Sequence, residues 1–428
     1  MKYIFLFLVL NLSLAKADQI SQTAQAERPP QFVLISFDGS YSDQFWKETF
    51  HLADQTQAKF SYFVSGVYFV EGKDRANYQG PGHAAGRSDI GFGKSDLHDI
   101  QTRTENVWQA IERNFDVGSH ANGHFDGSQW NEKDWFSEFT QFHKFLEKIF
   151  SIYPALNEKY AKDWESILHQ KIKGFRAPLL AENESSQIVL KQFNYLYDSS
   201  KILNHQWPYQ MSDGIWNIGL SEVDLFATNR HTIAMDYNIL YGQCEGKFSP
   251  TNKGECADLT DAKLADFEEQ TYQSYIAAFL RSYYSNRAPL SIGHHFSLFN
   301  RGIYWQALQK FVYAVCTQPE VQCVTHSEMV AWLENQRSVY GANDLATLNK
   351  GQFNKLNIPA AVAQALRPNL PIGPPIASNQ LSFESNLSVE VDRFEEDPIE
   401  TEMLKGDMAE AHRYDREQMD VKALRYHP

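Results

Sequence analysis

The chain has 428 residues, 43% hydrophobic and 14% aromatic, which is ample for a large globular core and too apolar for a disordered polymer. Its formal net charge of −14 argues against a nucleic-acid partner. From Glu384 onward thirteen acidic side chains stand against six basic ones, so about half of that charge lies in the last stretch and the rest of the chain is only mildly acidic.

The first stretch, MKYIFLFLVLNLSLAKADQ, combines Lys2, an apolar run from Ile4 to Leu14 and the small-x-small triplet Ala15-Lys16-Ala17. That is the pattern of a secretory signal cut after Ala17, too short for a stable membrane span. Residues 1–17 are therefore predicted as a signal peptide and residues 18–30 as a polar lead-in. The mature protein is expected to be secreted or periplasmic, with no membrane span after signal cleavage. An oxidising compartment gives the four cysteines a meaning. Of their three possible pairings, the chain-local one, Cys244–Cys256 with Cys316–Cys323, is the simplest, and no CxxC suggests a structural zinc site.

QFVLISF (31–37) reads as a buried strand running into the turn DGS, and AKFSYFVSG (58–66) as a second strand. Between them Phe45, Trp46, Phe50 and Leu52 have helical spacing, so the unit is strand–helix–strand and the strands are parallel. The Gly-rich segment 72–96 is expected to be a long loop at the site rim. TENVWQAIERNF (104–115) reads as a helix before the strand end DVGSH. KGFRAP, FNYLYDSS, GIWNIGL and APLSIGHHF continue the strands. CVTHSEMVAWLEN reads as a last strand and then a helix capped at Ser327 or Thr325. Strands alternating with helices, and polar residues at the strand exits, suggest an α/β barrel whose site collects at that end. The pattern fades from about Gly341, where RPNLPIGPPIASNQ is linker-like and the acidic stretch beyond it favours partial disorder, with a helix expected near Asp407–Arg425. There is no internal repeat.

Six positions carry possible chemistry. His120 and His124 stand four apart in VGSHANGHFDG, a spacing that lets two imidazoles reach one metal; without a metal they are surface or capping residues. Asp38 closes the first strand, where a carboxylate is well placed as a base. Arg176 closes another, where a guanidinium holds a carboxylate in one rotamer and keeps it ionised, or else forms a structural ion pair. His294 and His295 stand at a third exit, where a histidine can protonate a leaving amine or be a capped core residue. Trp130, Trp135, Trp207 and Tyr209 fall in loop-like stretches; exposed there, such rings stack on sugars, and buried they are core.

Taken in this order, SFDG, HANGH, RAPL and HHF resemble the motifs of the polysaccharide deacetylases, also called NodB-homology domains or family-four carbohydrate esterases, over about Gln31 to Asn335. GFRAPLL, YLYDSS, WPY, GIWNIGL and RAPLSIGHHF in succession resemble the divergent branch that contains the arthropod chitin deacetylases. The resemblance implies a distorted (β/α) barrel of the polysaccharide deacetylase type over residues 31–340, followed by a linker and partly disordered acidic tail over 341–428. It implies Asp38 as general base, His120 and His124 as metal ligands, Arg176 as the residue orienting the base, and His295 as general acid. Trp216 would line the acetyl pocket and the Leu179 backbone N–H would join the oxyanion hole. It also places a disulfide at the Cys244–Cys256 loop.

The implied activity is metal-dependent removal of N-acetyl groups from a polysaccharide containing N-acetylglucosamine, with a divalent metal as cofactor and zinc as the expected ion. The bacterial look of the signal favours peptidoglycan as substrate, the branch favours chitin, and a degenerate site would leave a non-catalytic carbohydrate-binding module. The sequence departs from the family pattern at Gly39, where a second Asp supplies the third metal ligand. Ser40, a water, Asp38 or Asp43 could take its place, or metal binding could be lost.

Overall fold

The computed structural model describes residues 28–353 apart from 157, 161 and 342–344. The predicted signal, the Pro-rich linker and the acidic tail with its expected helix lie outside the described residues. The strands, in chain order, are β1 (Gln31–Gly39), β2 (Phe60–Val64), β3 (Asp116–Ser119), β4 (Gly174–Phe175), β5 (Tyr197–Asp198), β6 (Ile202–Leu203), β7 (Tyr209–Gln210), β8 (Trp216–Asn217), β9 (Leu220–Asp224), β10 (His231–Ile233), β11 (Leu290–His295) and β12 (Val321–Val324).

Among the described residues a nine-stranded sheet runs β11-β1-β2-β3-β4-β5-β8-β7, with β12 also on β1. All its pairs are parallel except β7 with β8. A three-stranded sheet, β10-β9-β6, continues from β8 and leans back on β11. There Met235 and Gly293 form one backbone bridge, the Gly293 N–H donates to the Ala234 carbonyl (2.9 Å), and the Ser291 N–H donates to the Ser221 hydroxyl (2.9 Å). The result is the expected α/β architecture, a curled, distorted barrel that this thin seam completes.

Strand alternation explains what each face does. On β1, Val33, Ile35 and Phe37 join the core beneath the helices, whereas Phe32 and Leu34 belong to a second, inner core. Ser36 and Asp38 continue that inner face toward the strand's exit. On β11, Leu290 and Ile292 face the helices, so Gly293 and His295 share the inner side with Asp38. The helix Asp43–Thr56 buries Phe45, Trp46, Phe50 and Leu52 as predicted, and the Ser42 side chain caps its first turn. The helix read from residue 104 begins earlier, at Leu97, because Asp96 accepts the His98 N–H and caps it. Of the two candidate caps for the closing helix His326–Tyr340, Thr325 is the cap, in a reciprocal pair with Glu328.

Both chain-local disulfides are present, Cys244–Cys256 and Cys316–Cys323. No helix among the described residues is long and apolar enough to cross a membrane. Packing continues past Gly341: Leu348 is buried in the inner core, Leu345 and Phe353 pack against it, and the Asn349 side chain accepts the Trp207 backbone N–H (2.7 Å). A chain ending near Pro371 is therefore expected to melt as the full chain does. One ending at Gly341 should lose about 2 kcal/mol from Leu348 alone. Thermal unfolding of the two truncations checks this.

Candidate active site

The parallel strands deliver Asp38, His120, Arg176 and His295 to the same end of the barrel, and Arg176 ties three of those exits together. Its Nη1 donates to Asp38 Oδ1 (2.8 Å) and to the Ser36 hydroxyl (2.8 Å). Its Nη2 donates to the Ser199 hydroxyl (2.8 Å), its Nε donates to the Ser199 carbonyl (3.3 Å), and its guanidinium lies 4.5 Å from the centre of the Phe63 ring. The Arg176 N–H donates to the Ser119 carbonyl (3.0 Å) and the Arg176 carbonyl meets His120 Nδ1 (2.8 Å).

A carbonyl only accepts, so the hydrogen of His120 is on Nδ1 and Nε2 carries the lone pair. Burial pushes this imidazole down to about 3, so it is neutral, as a metal ligand must be. The His124 ring centre lies 5.2 Å away. Burial raises the Asp38 carboxyl above its ordinary value even against the neighbouring Arg176 charge, so the arginine opposes protonation without winning outright. Asp38 Oδ1 is held, while Oδ2 is buried with no hydrogen-bond partner among the described residues.

The two adjacent histidines lie on opposite faces of β11, although both approach Asp236, His294 with its Nδ1 3.6 Å from Asp236 Oδ2. His295 stands in register with Asp38 on the next strand. Its backbone N–H donates to Asp236 Oδ2 (2.8 Å) and its Nδ1 donates to Asp236 Oδ1 (2.7 Å). His294 points the opposite way, and its Nε2 meets the Tyr275 hydroxyl (3.0 Å) in the helix layer. Asp236 is buried, yet its carboxyl is held below the usual value: burial pulls it up, and the charges of His295 and His294 with the His295 hydrogen bonds outweigh that pull. Sequence reasoning missed Asp236. Its signal was present in TIAMD, an acidic residue closing an apolar run just as Asp38 does.

Leu179 lies in the turn Pro178–Leu180 beside Arg176 with a left-handed backbone (φ 58°), as does Leu180 (φ 52°). Two bulky residues in that region are a local strain of the kind met at functional turns. Trp216 does not join the site. It is buried in the inner core with Phe32, Leu34 and Met329, and its Nε1 donates to Glu334 (2.7 Å) on the closing helix. Trp135 and Trp207 are likewise core residues; of the four suggested sugar platforms Tyr209 is exposed and Trp130 half-buried. The Gly-rich segment is not wholly loop, since Gly72–Asn77 forms a short 3-10 helix, and its later part packs on the histidine loop, with the Asp89 N–H (2.8 Å) and the Ser88 hydroxyl (3.3 Å) donating to the Gly123 carbonyl.

Gly39 and Ser40 both adopt positive φ (74° and 60°) as the chain leaves β1. The Ser40 hydroxyl turns back to the Phe37 carbonyl (3.3 Å), and Asp43 is taken by Lys47 (2.6 Å) and Asn106 (2.8 Å). Neither completes a ligand set, and among the described residues no three His, Cys, Asp or Glu side chains form a group that could hold a metal. What remains of the expected ligand set is the pair of imidazoles, His120 and His124, and Asp38 Oδ2, left without a hydrogen-bond partner among the described residues, does not join them in such a group. Gly39→Asp is expected to fold with about 1 kcal/mol of backbone cost, since Asp is among the residues that tolerate positive φ. It should also bind Zn2+ more tightly than the parent in calorimetric titration. Unchanged affinity in a well-folded variant would show that the ion does not face this position.

No family model matches this chain, and no curated protein does. Among solved structures it is similar to a protein from Mycobacterium smegmatis assigned as a polysaccharide deacetylase, at 13% identity and a TM-score of 0.45 over 72% of this chain and 92% of that one. It is similar to the peptidoglycan deacetylase PdaC from Bacillus subtilis at 10% identity and a TM-score of 0.37, over 72% and 94% of the two chains. A third likeness is to a family-four pseudoenzyme from Bacillus anthracis, at 8% identity and a TM-score of 0.36, over 70% and 66%. None of the three is an arthropod chitin deacetylase, and that narrower resemblance gains no support from them. These likenesses are distant, and the chemistry argued below stands on the residues themselves.

Proposed function

We propose that this protein removes N-acetyl groups from N-acetylglucosamine residues of a cell-wall polysaccharide, peptidoglycan before chitin, and that residues 1–17 export it to that substrate. The observation that carries the reading is the pairing of two carboxylates on one barrel end. Asp38 is locked by Arg176, and Asp236 is locked by His295, on strands that put Asp38 and His295 in register. One arrangement makes a base, the other an acid, and amide hydrolysis needs both.

Asp38 accepts the proton of the attacking water at Oδ2, while Arg176 fixes Oδ1. The Leu179 N–H donates to the oxygen that becomes negative. His295 delivers a proton from Nε2 to the departing sugar amine, while Asp236 holds Nδ1 and faces the positive charge the ring carries as an acid. His120 and His124 are the residues to hold a divalent metal, zinc as the expected ion, and when bound it supplies Lewis acidity toward the acetyl carbonyl.

The reading predicts acetate release from purified peptidoglycan or from chito-oligosaccharides, lost on chelation and in His120→Ala. The incomplete ligand set favours one second reading, a non-catalytic carbohydrate-binding module. Sugar binding with no acetate release from either polymer, with zinc present, would establish that module instead.

A further inference from the structure

The loop that carries the two imidazoles is held from below by groups outside the motif. Its backbone is left-handed at Ala121 (φ 50°) and at His124 (φ 59°), a shape an L-residue chain does not keep unaided. Beneath it lies Glu138, 1% exposed, on the inner face of the helix Glu132–Glu147. The Asn122 N–H donates to Glu138 Oε1 (2.9 Å), and the Asn122 side-chain amide donates to the Glu138 backbone carbonyl (2.8 Å). The buried Tyr78 hydroxyl donates to the same carboxylate (3.1 Å to Oε1) and accepts the Gly123 N–H (3.1 Å). Consecutive loop amides are thus anchored to one carboxylate, the first directly and the second through a phenol. The other wall of the loop is Gly66, whose N–H donates to the Ala121 carbonyl (2.9 Å). A Cβ on Gly66 would come within 2.1 Å of the Asn122 side-chain oxygen, so the loop has no room to slide.

We infer that Glu138, with Tyr78 as its bridge, is the positioning residue of the His120–His124 loop, setting the separation and orientation of the two imidazoles without touching substrate or metal. The inference rests on the proposed function in one respect only, the use made of those imidazoles; the anchoring itself is independent of it.

The test uses the full chain and three variants, Tyr78→Phe, Glu138→Leu and Glu138→Gln, the last keeping an acceptor for Asn122. Hydrogen exchange at the Asn122 and Gly123 amides is expected to quicken about tenfold in Tyr78→Phe and Glu138→Leu. Amides of the helix Asp43–Thr56 should not change, and Glu138→Gln should recover most of the protection at Asn122. Zn2+ affinity should weaken by about the same factor in the first two variants, and kcat should fall with little change in KM. Unaltered exchange at Asn122 and Gly123 in a folded Tyr78→Phe protein overturns the inference, even if Glu138→Leu does not fold. If the parent binds no Zn2+, the metal reading fails, and the exchange result still decides the positioning role.

Discussion

Asp38→Asn is expected to abolish turnover, by about a thousandfold or more, while the protein stays folded and still binds sugar. The amide keeps an acceptor for Arg176 Nη1, and the guanidinium retains Ser36 and both Ser199 contacts, so the cost to folding should be about 1–3 kcal/mol. The same carboxylate sets the acid side of the pH profile. Its pKa is raised by burial against Arg176, so activity should fall as pH drops through a value above the ordinary carboxylate range. The folded chain holds this proton to higher pH than the unfolded chain. That contribution to stability is therefore present below the unfolded pKa and is lost as pH rises through the folded one. Steady-state rates against pH, with equilibrium sugar binding to the variant, are the measurements. Near-parental turnover would remove Asp38 from the role of base.

The second large effect belongs to Arg176→Leu. This side chain is fully buried and spends its donors on Asp38, Ser36 and Ser199. Removing it leaves Asp38 buried without its countercharge, which breaks a buried pair at about 3–5 kcal/mol. For a domain of this size the melting temperature should fall by roughly 5–7 °C. The remaining activity should require higher pH, because burial then acts on Asp38 with only the His295 charge opposing it. A melt near the parental value would mean that Ser36 and Ser199 accommodate the cavity with water. The tie between β1, β4 and β5 would then be weaker than its geometry implies.

Much of the site could be read from the residues because its members end apolar runs. Asp38 after QFVLISF, Arg176 after KGF and His295 after LSIGH each mark a strand exit, and the barrel places exits together. Trp216 was misplaced for the same reason that makes it a core residue: a tryptophan in a strand can face either the ligand or the interior, and only the partner, Glu334, settles which. Asp236 went unread because it opens a helix with no marked amphipathic stripe, Asp236–Cys244, after a strand, β10, of only three residues. The helix Asp261–Tyr284, which supplies Tyr275 behind His294, was likewise not predicted, since polar and apolar residues mix along it. Glu138 lies among ordinary helix formers, and nothing in its spacing distinguishes a buried anchor from a solvated charge.

The thin seam of the barrel has a bearing on the site as well as on shape. Met235 meets Gly293 there, and one residue beyond Met235 is Asp236, which grips His295, 59 positions further along the chain. That closure is shorter along the chain than the one between Asp38 and Arg176, which stand 138 positions apart. Asp38, His120 and Arg176 are joined through the continuous run of strands β1 to β4, whereas the Asp236–His295 pair spans the seam. Under the proposed function, a barrel open at that seam would keep Asp38 with Arg176 and lose the carboxylate that holds its acid.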